Sequence, residues 1–209
     1  MIAVVDYRAG NLTSVVKALR ALGVDPVVTA DPAALRTAEK IILPGVGHFA
    51  ATERLFQSGM AAAIQQRVAQ GALFLGICVG LQWIFRGSTE APAISGLNVF
   101  PETCERFPNS VKSPHVGWNS LDLVRPSRLL DGLEPSTHVY FTHSYRAPAV
   151  NATVAVTNYA GNFSAAVEEG NWMAVQFHPE KSGPAGLKIL KNFLDLPNLD
   201  LPNPELSAC

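Results

Sequence analysis

Apolar and polar positions follow two different rhythms along the chain. In the first part, short apolar runs alternate with stretches of helical spacing. Ile2 to Val5 is a β-branched run that predicts a buried parallel strand. Asp6 to Gly10 reads as a turn, and Asn11 as the N-cap of a helix through Leu22. That helix carries Leu12, Val15, Val16, Leu19 and Leu22 on one face, and Gly23 ends it. Val27 to Thr29 predicts a second strand, and Asp31-Pro32 opens a short helix. Ile41 to Leu43 predicts a third strand, stopping at Pro44. Helical patterns follow at about Phe49 to Gln57 and Met60 to Gln70, and then an apolar strand from Leu73.

Strand and helix in alternation predict an α/β fold with a mostly parallel central sheet and helices on both faces. In such sheets a site lies at the carboxyl ends of the strands. From Ile94 to Gln176 the rhythm changes to short β-rich runs rich in glycine and proline. Candidate strands are Val116 to Trp118, His138 to Phe141, Thr153 to Val156, Ser164 to Glu168 and Trp172 to Gln176. Glu169-Gly170-Asn171 joins the last two as a hairpin. This half is expected to add an antiparallel β extension at the sheet edge. A last amphipathic helix is expected at about Ala185 to Leu194. The tail from Pro197 to Cys209 carries three prolines and is expected to be poorly ordered.

Composition narrows the picture. Of 209 residues, 48% are hydrophobic and 16% charged, which fits a globular protein of one α/β domain. A net charge of −1 without a basic block gives no reason to expect nucleic acid or an anionic membrane as partner. No charge occurs between Arg67 and Arg86, but glycines and glutamines interrupt that run, so strand-turn-helix is expected rather than a span. Asp6 and Arg8 in the first apolar stretch argue against a signal peptide. Cys78, Cys104 and Cys209 offer neither paired spacing nor an even count. No disulfide framework, metal or cofactor is expected, and a reducing, cytoplasmic setting is.

The chemistry centres on Leu73 to Phe85, where Cys78 stands between Gly76 and Gly80. An apolar run arrives and a helix-compatible run leaves, the form of a nucleophile elbow. Glycines at those positions let backbones approach closely. A helix starting at Val79 would turn free N–H groups toward the sulfur and favour thiolate over thiol. Gln176-Phe177-His178-Pro179-Glu180 supplies a base and an orienting carboxylate just past an apolar strand. Acyl transfer also needs oxyanion donors: the N–H of Val79, and one from Pro44-Gly45-Val46-Gly47, here given to Val46. The flanking glycines would permit that second peptide to flip, turning its donor away until a partner binds.

Gly-Ile-Cys-Val-Gly-Leu-Gln together with Gln-Phe-His-Pro-Glu-Lys-Ser resembles the class I (triad) glutamine amidotransferases, which have a flavodoxin-like fold. Ala9 to Leu12, Leu43 to Phe49, Pro114 to Asn119 and Tyr140 to Arg146 narrow the resemblance to the glutaminase subunits of imidazole glycerol phosphate synthase, of histidine biosynthesis. It spans nearly the whole chain, leaving out the tail beyond Leu194, and implies one glutamine amidotransferase domain over residues 1–196. It implies that Cys78 attacks L-glutamine, His178 shuttles the proton and Glu180 holds the ring. It implies glutamine binding by Gly47, Gln82, Glu90, Ser144 and Tyr145. It also implies a heterodimer with a (β/α)8-barrel cyclase subunit that receives the ammonia, contacted through Asn11, Trp118, Tyr140 and Lys181. Arg86-Gly87 and Asn98 depart from the family's usual acidic and small residues. Competing readings are an amidotransferase serving a sugar-modifying synthase, a non-catalytic subunit and a cysteine peptidase.

Overall fold

The computed structural model describes residues 1–198, so the Pro-rich tail, with Cys209, lies outside the described residues except for its first two positions. The elements of the first half are β1 (Ile2–Val5), α1 (Leu12–Ala21), β2 (Val27–Thr29), β3 (Lys40–Gly45), α2 (Glu53–Gln57), α3 (Met60–Ala69), β4 (Leu73–Cys78) and α4 (Val79–Ile84). Short 3-10 helices at Pro32–Thr37 and Phe49–Thr52 complete it. The second half adds β5 (Phe85–Ser88), β6 (Phe100–Arg106), β7 (His115–Ser120), β8 (Asp122–Leu123), β9 (His138–His143), β10 (Tyr145–Arg146), β11 (Thr153–Asn158), β12 (Asn162–Glu169), β13 (Trp172–Val175) and α5 (Gly183–Asp195).

Eight strands form the main sheet in the order β2-β1-β3-β4-β13-β12-β11-β8. The first five are mutually parallel, and β12, β11 and β8 extend the sheet antiparallel, as expected. Successive strand residues point to opposite faces, and two apolar layers result. Val4, Ile42, Leu75 and Ile77 pack with Val15 and Leu19 of α1 and Ile189, Leu190 and Phe193 of α5. Ala3, Val5, Ile41, Leu43 and Phe74 pack with Met60, Ile64 and Val68 of α3 and Leu81, Trp83 and Ile84 of α4. Helices therefore cover both faces.

The structure corrects the sequence reading in three places. β3 does not stop before Pro44 but runs to Gly45, pairing Pro44 with Ile77 and Gly45 with Cys78 of β4. Its register with β1 ends at Ile42, so a proline beyond that point forfeits no ladder bond on that side. The elbow helix ends at Ile84, and the chain continues as β5, whose Phe85 pairs with Phe100. The second half does not all join the sheet edge either. β10-β6-β5 and β7-β9 form two smaller sheets that wall the site.

Of the two departures from the family pattern, Asn98 has φ +60°, a left-handed conformation that asparagine tolerates better than most residues. Arg86 is exposed and donates to Thr103 Oγ1 at 3.2 and 2.9 Å.

Candidate active site

Cys78 is the last residue of β4 and the cap of α4, with φ +55° and ψ −105°. That strained geometry needs space behind it. A Cβ on Gly76 would sit 2.5 Å from Gly80 O, and one on Gly80 would sit 2.1 Å from Leu43 O. The two flanking glycines are therefore a packing requirement of the turn. Gly45 is under the same constraint, because its Cβ would meet Val79 Cβ at 2.7 Å. The Gly45-Val46-Gly47 loop thus lies against the first turn of α4, and Gly47 has φ +95°.

β13 pairs parallel with β4, placing Val175 beside Ile77. The chain leaving β13 therefore passes Cys78 and turns at His178-Pro179-Glu180. His178 N donates to Tyr140 O at 2.9 Å, and Ser182 Oγ donates to His178 O at 2.7 Å. Tyr140 N donates to the same hydroxyl at 3.0 Å, so the turn is fastened to β9. His178 Nδ1 meets Glu180 Oε1 at 2.9 Å, with both side chains 1% exposed. Burial disfavours the imidazolium, but the charge of nearby Cys78, with the hydrogen bond and charge of Glu180, outweighs it and pushes His178 up to about 10. Cys78 and His178, a hundred positions apart in the chain, are thus electrostatic neighbours.

Beside Cys78 lies a recess of about 240 Å³. Its walls include Val46, Gly47, Val79, Gln82, Glu90, Ser144 and Tyr145, so both oxyanion candidates and all five glutamine-binding candidates converge there. Gln82 is buried, 2% exposed. Its Nε2 donates to Tyr145 O at 3.0 Å and Gln176 Oε1 at 3.2 Å, which leaves Oε1 for a ligand. Glu90 Oε2 accepts from Phe49 N at 2.7 Å, so it also anchors the segment after Gly47.

The remaining candidates stand apart from the recess. Trp118 is 56% exposed beside Val116 at 57% on one face of β7, although tryptophan usually buries most of its area. Trp118 pairs with Tyr140 across the β7-β9 ladder, and Lys181 Nζ lies 5.7 Å from the Tyr140 ring centroid, a cation–π contact. Asn11 caps α1, its Oδ1 accepting from Ser14 N at 3.4 Å.

Sequence reasoning missed two features. One is Gln176, fully buried, whose Nε2 donates to Cys78 Sγ at 3.6 Å. Its place in the Gln-Phe-His-Pro-Glu stretch was visible, but its contact depends on strand register. The other is a pair of buried histidines. His115 Nδ1 lies 3.1 Å from His143 Nε2, and His143 Nδ1 lies 2.8 Å from Tyr145 O. The carbonyl can only accept, so the proton sits on His143 Nδ1 and His115 donates to His143 Nε2. Burial pushes them down to about 4 (His115) and about 3 (His143), so both are neutral near pH 7.

Residues 3–196 match the glutamine amidotransferase class-I family. The chain is 44% identical over 197 residues to imidazole glycerol phosphate synthase subunit HisH of Methanothermobacter thermautotrophicus, covering 94% of this chain and 98% of that one. It is 44% identical over 206 residues to the subunit of the same name from Syntrophotalea carbinolica, covering 94% and 100%. Among solved structures it superposes on a glutamine amidotransferase with a TM-score of 0.73 at 20% identity, covering 93% and 97% of the two chains. PurLQS from Thermotoga maritima gives 0.71 at 21% identity, covering 92% and 96%. These two likenesses show the shared fold. The chain is therefore a member of the class I glutamine amidotransferases, and within them of the HisH family of imidazole glycerol phosphate synthase subunits.

Proposed function

We propose that this recess hydrolyses L-glutamine through a thioester on Cys78. The observation that carries the reading is Cys78 at φ +55° on the elbow, with the His178–Glu180 pair brought beside it by the β4-β13 pairing. Gly47, Gln82, Glu90, Ser144 and Tyr145 hold the substrate, and Glu90 offers a carboxylate to its ammonium. The sulfur attacks the side-chain amide carbon while the N–H groups of Val79 and Val46 receive the oxyanion. His178 gives its proton to the leaving nitrogen, and ammonia departs. His178 then takes a proton from water, whose oxygen attacks the thioester carbonyl, and glutamate leaves as the sulfur is released. Glu180 keeps the ring oriented throughout.

The ammonia passes to a (β/α)8-barrel cyclase subunit, which makes imidazole glycerol phosphate and aminoimidazole carboxamide ribotide in the cytoplasm. The exposed Val116–Trp118 face supports such a partner, because Tyr140, paired with Trp118, also accepts the backbone N–H of His178. Among the described residues no helix is long and apolar enough to cross a membrane. Ammonia release should be measured with and without the barrel partner. Cys78→Ala should abolish glutamine-dependent synthesis and spare synthesis from added ammonia. Loss of both would give Cys78 a folding or docking role instead.

A further inference from the structure

We propose that Gln176 is a positioning residue for the nucleophile, its side-chain amide donating to the sulfur of Cys78 and holding it toward the glutamine recess. This rests on the reading of Cys78 as nucleophile. Val175 pairs with Ile77, so the next residue of each strand meets its neighbour where β4 becomes the elbow. Gln176 N donates to Ala165 O at 2.8 Å, which fixes the backbone. The side chain is fully buried.

The direction of the amide follows from its other contact. Gln176 Oε1 accepts from Gln82 Nε2 at 3.2 Å, so the opposite end, with its hydrogens, faces Cys78 Sγ at 3.6 Å. Gln82 is itself secured by Tyr145 O, which also accepts from His143 Nδ1. The amide thus cannot rotate without breaking a chain of buried hydrogen bonds. A thiol on a strained turn has three staggered positions open to it. A fixed donor on one side selects among them, while His178 acts on the sulfur as the proton carrier. Gln176 does not line the recess: its Nε2 end acts on the sulfur and hence on the chemical step, while its Oε1 end holds Gln82, which does line it, so the test needs one variant that keeps the acceptor for Gln82.

The test uses the full chain in complex with its cyclase subunit. Gln176→Met keeps the length and apolar packing but removes the donor. Its kcat for glutamine hydrolysis should fall roughly tenfold, the worth of one ordinary hydrogen bond, and KM should rise as well because Gln82 loses one of its two acceptors. Gln176→Glu keeps the shape and the acceptor for Gln82 but turns an oxygen toward the sulfur, so its kcat should fall further, with KM within about twofold of the parent. Parental kcat in both variants, or a loss confined to KM, overturns the proposal. Loss of the native circular dichroism spectrum in both makes Gln176 a packing residue and overturns it too. Cys78→Ala is run alongside. If it still hydrolyses glutamine, the nucleophile reading itself fails; if it is inactive while the Gln176 variants match the parent, only the positioning role fails.

Discussion

Glu180 Oε1 lies 2.9 Å from His178 Nδ1, and Pro179 between them restricts the backbone that carries both. The carboxylate fixes which ring nitrogen carries the proton and leaves Nε2 for the proposed proton transfers. Glu180→Gln keeps the shape but exchanges an acceptor for an amide that can turn its donor to the ring. Glutamine turnover is expected to fall roughly a hundredfold with little change in KM. Steady-state kinetics of the complex checks it, and an unchanged kcat would remove the orienting role.

The raised titration of His178 couples to stability. Its value in the fold is about 10 against an ordinary 6.5. The folded state therefore holds this proton more tightly than the unfolded chain does. The stabilisation is complete below the ordinary value and is lost as pH rises through about 10. Thermal melts across that window are expected to show the parent losing more stability than His178→Gln. Parallel curves for the two proteins would contradict this.

Gly186 on α5 provides a structural test of the same turn. A Cβ there would lie 1.9 Å from Pro179 O and 2.9 Å from Ser182 Cβ. Gly186→Ala is expected to push the His178-Pro179-Glu180 turn away from α5, at a cost of about 1–3 kcal/mol. Denaturant melts would register that loss, and turnover should fall with it. Retained stability and turnover would mean that the helix moves instead.

Trp118 separates docking from folding. More than half of its surface is open, so little core packing depends on it. Trp118→Ala is expected to leave the melting temperature nearly unchanged and to weaken binding of the cyclase subunit roughly thirtyfold, as for an aromatic anchor. Titration calorimetry reads the second effect directly. Unaltered affinity would place the docking face elsewhere.

Much of this site was legible because its parts are local. A cysteine between Gly76 and Gly80 after an apolar run, and a proline between His178 and Glu180, each carry their geometry within a few residues. The first-half strands were legible for the same reason, since their apolar runs are short and punctuated. β5 and β6 were not, because Phe85–Ser88 has a single residue of strong strand preference, and its pairing with Phe100–Arg106 is made by tertiary contact. Gln176, His115 and His143 were hidden more deeply. Nothing in a buried glutamine or histidine announces its partner until strand register places Gln176 beside Cys78 and His115 beside His143.

The most direct measurement is to quench the complex with acid during glutamine turnover and map the adduct by peptide mass spectrometry. A γ-glutamyl group on the Cys78 peptide, absent from Cys78→Ala, is the expected result. Turnover with no acyl adduct on that peptide, or with the adduct on Cys104, would contradict the assignment of Cys78 as nucleophile.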